Sequence, residues 1–329
     1  MLKDTLRNRG RRDFIVATSA LAGATLMDGF ASAAEPPAMR GLYPIAWTPC
    51  TPDNKLDLKS MAAQVKFCQR GNVAGLVWPQ IVSGWFTLSE QEWSAGSDAL
   101  LSTAKGGKTK IIIGVQTVGG DTQKSLRYAK SAAARGAHAI ISLPPENASD
   151  DKVIDYYKAL GDATSLPLMV QAVGNFSVDL IVKIVQQVPA VKAVKDEAGD
   201  PLVRAPQLFA RTNGKLLDFS GGNETMLSEM ELGFAGKCTY FGLSDVLQQS
   251  FDLWQEGRRK ESFEMYGRTC AFDSIPGSKE YVMIARGVFP ENAIVRIGSP
   301  IHYNPPRDEA QKKFIREALD SYLKPYLRA

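Results

Sequence analysis

The chain has 329 residues, 44% hydrophobic and 22% charged, an ordinary globular balance long enough for one large domain or two ordinary ones. The formal net charge is +4, and no Lys/Arg stripe interleaved with aromatics argues for nucleic acid. Two histidines and four scattered cysteines (Cys50, Cys68, Cys238, Cys270) lack metal-ligand spacing and leave little for a zinc site or a Ser-His-Asp triad.

Residues 1–33 read as an export leader rather than part of the fold. Gly10-Arg11-Arg12-Asp13-Phe14-Ile15 has the twin-arginine form. A modestly apolar run follows from Phe14 to Met27, and Ala31-Ser32-Ala33 supplies a small-x-small cleavage site before Ala34. The run is shorter than the roughly 20 residues a bilayer span needs, so no membrane anchor is expected. The leader carries five Lys/Arg against three Asp, +2 of the +4. The expected location is periplasmic or secreted. Disulfides are permitted there but not required, and Cys50 and Cys238, at apolar strand positions, read as buried thiols.

From there the sequence alternates apolar strands with amphipathic helices. Strands are predicted at Gly41–Thr48, Val73–Trp78, Thr109–Gln116, His138–Leu143, Pro167–Val173, Ala190–Lys195, Leu216–Ser220 and Lys237–Phe241. Helices at Leu58–Arg70, Ser89–Ala104, Thr122–Arg135 and Lys152–Ala163 fall between them. The strands are apolar on both faces, as in Ile111-Ile112-Ile113, which marks a parallel sheet buried on both sides. Eight such units predict an α/β fold, a (β/α)8 TIM barrel, over residues 34–245. No Gly-x-Gly-x-x-Gly follows the first strand, against a nucleotide-binding sheet. Residues 246–329 read as a C-terminal helical extension, with helices at Leu247–Cys270, Ser278–Gly287 and Arg307–Leu327.

In such barrels chemistry gathers at the carboxyl ends of the strands. Those ends hold Thr48, Gln80, Gln116, Gln171, Lys195, Gly221-Gly222-Asn223 and Thr239-Tyr240. Amides orient a substrate but cannot exchange protons near neutral pH. Lys195 differs from them. Alternation places it on one face with Val191 and Ala193, opposite Lys192 and Val194, at the end of a short buried strand. A lysine shielded from water there can attack a carbonyl as an amine. The plainer reading is a packed stem with its ammonium in solvent.

The whole of residues 34–329 resembles the dihydrodipicolinate synthase / N-acetylneuraminate lyase family. The resemblance rests on Thr48-Pro49-Cys50-Thr51, Gly71 to Val77, Thr87 to Glu92, Lys195-Asp196-Glu197-Ala198-Gly199-Asp200, Ser220 to Asn223, Gly233 to Gly236, Lys279 to Gly287 and Val295-Arg296. It implies a barrel with a helical extension, a Schiff base on Lys195 with a small 2-oxo acid or sugar acid, no cofactor or metal, and a homo-oligomer.

The departures from the family pattern bear on chemistry. The usual Gly-Thr-Thr-Gly-Glu run, which holds the substrate carboxylate, is replaced by Gln80-Ile81-Val82-Ser83-Gly84. The catalytic tyrosine of a Tyr-Asn-x-Pro setting is replaced within Gln171-Ala172-Val173-Gly174, and the arginine that often follows is absent. Pro144-Pro145-Glu146 stands for Pro-Tyr-Tyr. Substrate contacts are expected from Thr48, Gln80, Ser83, Gln171, Gly221, Cys238 and Tyr240. Tyr240 shares the strand parity of Cys238, so it is placed either as an inward phenol donor or as a packed aromatic. Trp78 and Trp85 flank the altered loop and are placed at an apolar pocket or in the core. Two functions follow: a lyase or aldolase making or breaking a carbon–carbon bond through an imine on Lys195, or a non-catalytic periplasmic barrel that binds such acids.

Overall fold

A computed structural model of the chain describes residues 39–222, 224–296 and 305–328, so the predicted leader and Asn223 lie outside the described residues. Eight parallel strands lie in the order β1-β9-β8-β7-β6-β5-β4-β3. They are β1 (Gly41–Leu42), β3 (Gly75–Trp78), β4 (Lys110–Gly114), β5 (Ala139–Ser142), β6 (Leu168–Val173), β7 (Val191–Glu197), β8 (Leu217–Ser220) and β9 (Gly236–Lys237). The two ends of the order meet where Ala46 N donates to Val77 O at 2.9 Å and Val77 N to Pro44 O at 3.0 Å. This is a (β/α)8 barrel.

Its helices are α1 (Leu58–Arg70), α2 (Glu90–Ala104), α3 (Thr122–Ala134), α4 (Asp150–Ala163), α5 (Val178–Gln187), α6 (Pro201–Arg211), α7 (Met226–Glu231) and α8 (Ser244–Gln255). Local signals set several of their starts. Asp57, Asp121 and Ser177 accept backbone N–H groups at the first turns of α1, α3 and α5, and Ser89 with Glu92 forms a capping box on α2.

Two apolar layers explain strands that are hydrophobic on both faces. Inside lie Tyr43, Ile45, Val77, Ile112, Ile141, Met169, Ala193, Phe219 and Cys238. Outside, Leu42, Leu76, Ile111, Ile113, Ile140, Val170 and Val194 pack beneath the helices. Tyr43 fits only because residue 75 is glycine: a Cβ there would fall 2.2 Å from its ring.

Seven of the eight predicted strands are shorter than expected, the first most of all. The first regular strand ends at Leu42, although Tyr43 N still donates to Lys237 O at 2.8 Å and Ile45 N to Thr239 O at 2.9 Å, and Ile45 bridges Val77 and Tyr240. Thr48 instead opens β2 (Thr48–Cys50), antiparallel to β10 (Ile294–Arg296). The last strand ends at Lys237, not Phe241.

The face assignment within β7 is corrected by a bulge. Val191 pairs with Leu168 but Ala193 pairs with the next residue, Met169, so Lys192 is an extra residue in β7. Val191 therefore packs outward, while Ala193 and Lys195 share the inner face as expected.

The boundary at residue 245 cuts through α8, which belongs to the barrel: Gln248 Oε1 accepts from Leu42 N at 2.9 Å. Beyond it come α9 (Arg259–Asp273), α10 (Ser278–Ala285) and α11 (Glu309–Tyr322). Gly257, at φ +77°, separates α8 from α9 where one helix, Leu247–Cys270, was expected. The buried pair Arg286–Asp245, 2.7 Å apart, ties α10 to α8.

Candidate active site

β6 and β7 pair Gln171 with Lys195 and Val173 with Glu197. The inward parity of Met169 and Ala193 thus carries Gln171, Lys195 and Glu197 to the carboxyl end of the barrel on its inner face. Lys195 is 4% exposed and its Nζ lies 2.5 Å from Glu197 Oε2. Gln171 Nε2 donates to the same oxygen at 2.9 Å. The Glu197 side chain is 29% exposed, so this oxygen joins a buried amine to the open mouth.

Asp196 turns the other way, as alternation requires. It accepts from Arg204 Nε at 2.8 Å and from Ala198 N at 3.1 Å, which pins the end of β7 to α6.

Gly221, just after β8, makes room for the carboxylate. A Cβ at that position would sit 2.0 Å from Glu197 Oε1. Burial works against ionisation of Glu197. The Lys195 ammonium, hydrogen bonds from Lys195 and Gln171, and the charge of Lys237 nevertheless hold its carboxyl below the usual range. Cys238 lies inside the barrel close enough to feel both charges. Burial pushes its thiol up to about 12, with Lys195 opposing, so at neutral pH it is a neutral packed group.

Gln80 and Gln116 form a separate set on the β3–β4 side, with β5 and β6 between them and Lys195 in the sheet order. Both donate to Pro79 O at 2.9 Å. The Oε1 atoms of Gln80 and of Gln171 are buried with no hydrogen-bond partner, which leaves two acceptors available for a donor from a ligand. Val82 packs against the inner apolar cluster where the sequence comparison expects a hydroxyl. A cavity of about 400 Å³ opens beside this mouth, its walls including Ile81, Trp85, Gln116, Leu143, Pro144 and Val173. Trp85 therefore shapes an apolar pocket; Trp78 is core, fully buried in the outer layer.

Three expected contacts are placed elsewhere. Thr48 Oγ1 donates to Ser83 O at 2.6 Å and accepts from Trp78 Nε1 at 3.0 Å. Ser83 Oγ donates to Ala46 O at 2.7 Å and accepts from Gln80 N at 3.1 Å. Both hydroxyls are fully buried and tie the loop after β3 to the segment after β1. Tyr240 is corrected outright as an inward donor. It bridges Ile45, but its hydroxyl donates to Asp273 of α9 beneath the Lys279 ammonium. Burial and Asp273 raise its phenol well above the ordinary value.

Glu197 is the residue that sequence reasoning passed over. It was given no role, although the same alternation that selected Lys195 puts residue 197 on its face. Among the described residues no group of three or more His, Cys, Asp or Glu side chains could hold a metal ion.

The chain is similar to known proteins in sequence and in fold. The chain is 28% identical over 197 residues to the 4-hydroxy-tetrahydrodipicolinate synthase of Chloroherpeton thalassium, covering 57% of this chain and 64% of that one. To the N-acetylneuraminate lyase of Rhizobium meliloti it is 25% identical over 232 residues, covering 68% and 76%. The chain thus spans just under two thirds of the first relative's length. The crystal structure of N-acetylneuraminate lyase from Mycoplasma synoviae superposes with a TM-score of 0.74 at 19% identity, covering 87% of this chain and 98% of that one. Dihydrodipicolinate synthase from Rhodopseudomonas palustris gives 0.72 at 20%, covering 85% and 97%. These two likenesses concern the fold. The family model matches residues 38–271, and the chain belongs to the dihydrodipicolinate synthetase family.

Proposed function

We propose that this protein is a lyase or aldolase in which Lys195 forms an imine with a small 2-oxo acid or sugar acid. The observation that carries the reading is Lys195 Nζ, buried at the carboxyl end of β7 and facing the barrel mouth. The amine attacks the keto carbon, and loss of water leaves an iminium that draws electrons from the adjacent carbon–carbon bond. That electron sink serves cleavage in one direction and condensation in the other. Family homologues are Schiff-base lyases acting on such acids, which supports the reaction class.

The apolar cavity beside Val173 has room for the part of the substrate beyond the reacting carbon. The two free amide oxygens of Gln80 and Gln171 suit hydroxyl or amide donors on it. We place the protein in the periplasm as a homo-oligomer, the first on the Arg11-Arg12 leader and the second on the family resemblance. A barrel that binds without reacting is the second reading, favoured by an amide, Gln171, where the family carries its tyrosine. Lys195→Ala separates the two. Loss of turnover with folding intact supports the lyase, whereas no turnover by either form and unchanged ligand binding support the second.

A further inference from the structure

We propose that Glu197 is the acid–base catalyst of this site, moving protons to and from the Lys195 amine and the carbon beside the imine. This rests on the lyase reading above. An ammonium is not a nucleophile, so the reaction needs a proton acceptor at Nζ, and Glu197 Oε2 lies 2.5 Å away. Gln171 touches the same oxygen but cannot exchange a proton near neutral pH. Tyr240 is bonded to Asp273. Cys238 and Tyr43 are buried inside the barrel with their neutral forms favoured.

The charged and titratable groups around Glu197 are Lys195 on its own strand, Lys237 on β9 and Cys238 just past its end. Gln171 faces it from β6 and Gly221 from the end of β8. Lys237 is itself held by Glu229 at 2.5 Å, which leaves the Glu197 carboxylate to serve Lys195.

The steps balance with one carboxylate. Glu197 takes a proton from the Lys195 ammonium, and the freed amine adds to the keto carbon. The acid returns that proton to the oxygen of the adduct and takes a second from the nitrogen; given in turn to the carbinolamine hydroxyl, the second proton lets it depart as water, leaving the iminium and the Glu197 carboxylate. In condensation the carboxylate removes a proton from C3, giving the enamine and a carboxylic acid. The enamine attacks an aldehyde carbon, and the acid protonates the new alkoxide. Cleavage reverses these transfers: the carboxylate takes the C4 hydroxyl proton, C3–C4 breaks, and its electrons enter the iminium. The resulting acid then returns a proton to C3. The partly exposed carboxylate, lying over the side-chain-free Gly221, can address both the amine and the carbon next to it.

Deuterium wash-in at C3 of pyruvate and 2-oxobutyrate reads this proton transfer directly, with borohydride trapping on Lys195 as the control for imine formation. In Glu197→Gln we expect exchange to fall about 10²- to 10⁴-fold while an adduct still accumulates on Lys195. In Glu197→Ala, added formate restores part of the exchange. If Glu197→Gln neither traps nor exchanges, the Glu197→Ala variant decides: recovery of both by formate supports the assignment, and no recovery overturns it. Exchange in Glu197→Gln within about twofold of the unaltered protein, with trapping intact, overturns the Glu197 assignment and leaves the lyase reading standing. No adduct in the unaltered protein with either oxo acid overturns both.

Discussion

Gln171 and Lys195 face each other across the β6–β7 ladder and donate to one and the same oxygen of Glu197, at 2.9 and 2.5 Å. Two donors on one oxygen fix the carboxylate at the rim and leave Oε1 lying over Gly221. The arrangement depends on the bulge at Lys192, which sets β7 in the register that turns Lys195 and Glu197 inward.

Gly221→Ala tests the room that Glu197 needs. The new methyl would fall 2.0 Å from Oε1, so the carboxylate must move away. A displacement of this size costs on the order of 10²-fold in turnover when it separates a proton acceptor from its partner. Steady-state kinetics should show that loss in kcat, with Lys195 still open to borohydride trapping. Undiminished kcat would mean the carboxylate position does not matter.

Tyr240→Phe addresses the opposite expectation. Its hydroxyl serves Asp273 and not the barrel mouth, so turnover should stay within about twofold of the unaltered protein. Loss of a hydrogen bond to a charged group should lower stability by about 1.5–3 kcal/mol, readable by urea unfolding. A large fall in kcat with stability unchanged would return the tyrosine to the site.

Asp218→Asn should stabilise the protein near neutral pH. Asp218 faces outward from β8, is 1% exposed, and neither carboxylate oxygen has a hydrogen-bond partner. Burial, with the negative charges of Asp196 and Glu229, raises its carboxyl well above the ordinary value. A group with a raised folded-state pKa contributes stability below its unfolded value, and that contribution is lost as pH rises toward the folded value. The asparagine variant carries no such loss. Its advantage should be roughly 1–3 kcal/mol at pH 7 to 8 and shrink toward pH 4 in thermal unfolding. A gap that widens on acidification would refute the assignment.

Much of this architecture was legible in the chain because a parallel barrel demands strands apolar on both faces and helices with one polar face. Helix α1 has the predicted bounds, Leu58–Arg70, because Asp57 caps its start and Gly71 follows its end. What escaped were features without a side-chain signature. Nothing in Lys192 announces a bulge. Tyr240 shows the limit of parity: it still bridges Ile45, yet its hydroxyl reaches Asp273 of α9 and not the barrel mouth. Glu197 is the reverse case: the strand was predicted to end at Lys195, but β7 runs two residues further, so alternation carried that far reaches Glu197. Thr48 and Ser83 were drawn to the site by position, yet their hydroxyls bond to backbone that sequence cannot see.

The central claim is an imine on Lys195, and borohydride reduction in the presence of pyruvate and a panel of 2-oxo acids tests it most directly. Peptide mass spectrometry should find the reduced adduct on Lys195 and on no other lysine. Well-folded protein that yields no adduct with any oxo acid would contradict the claim and leave a barrel that binds without reacting.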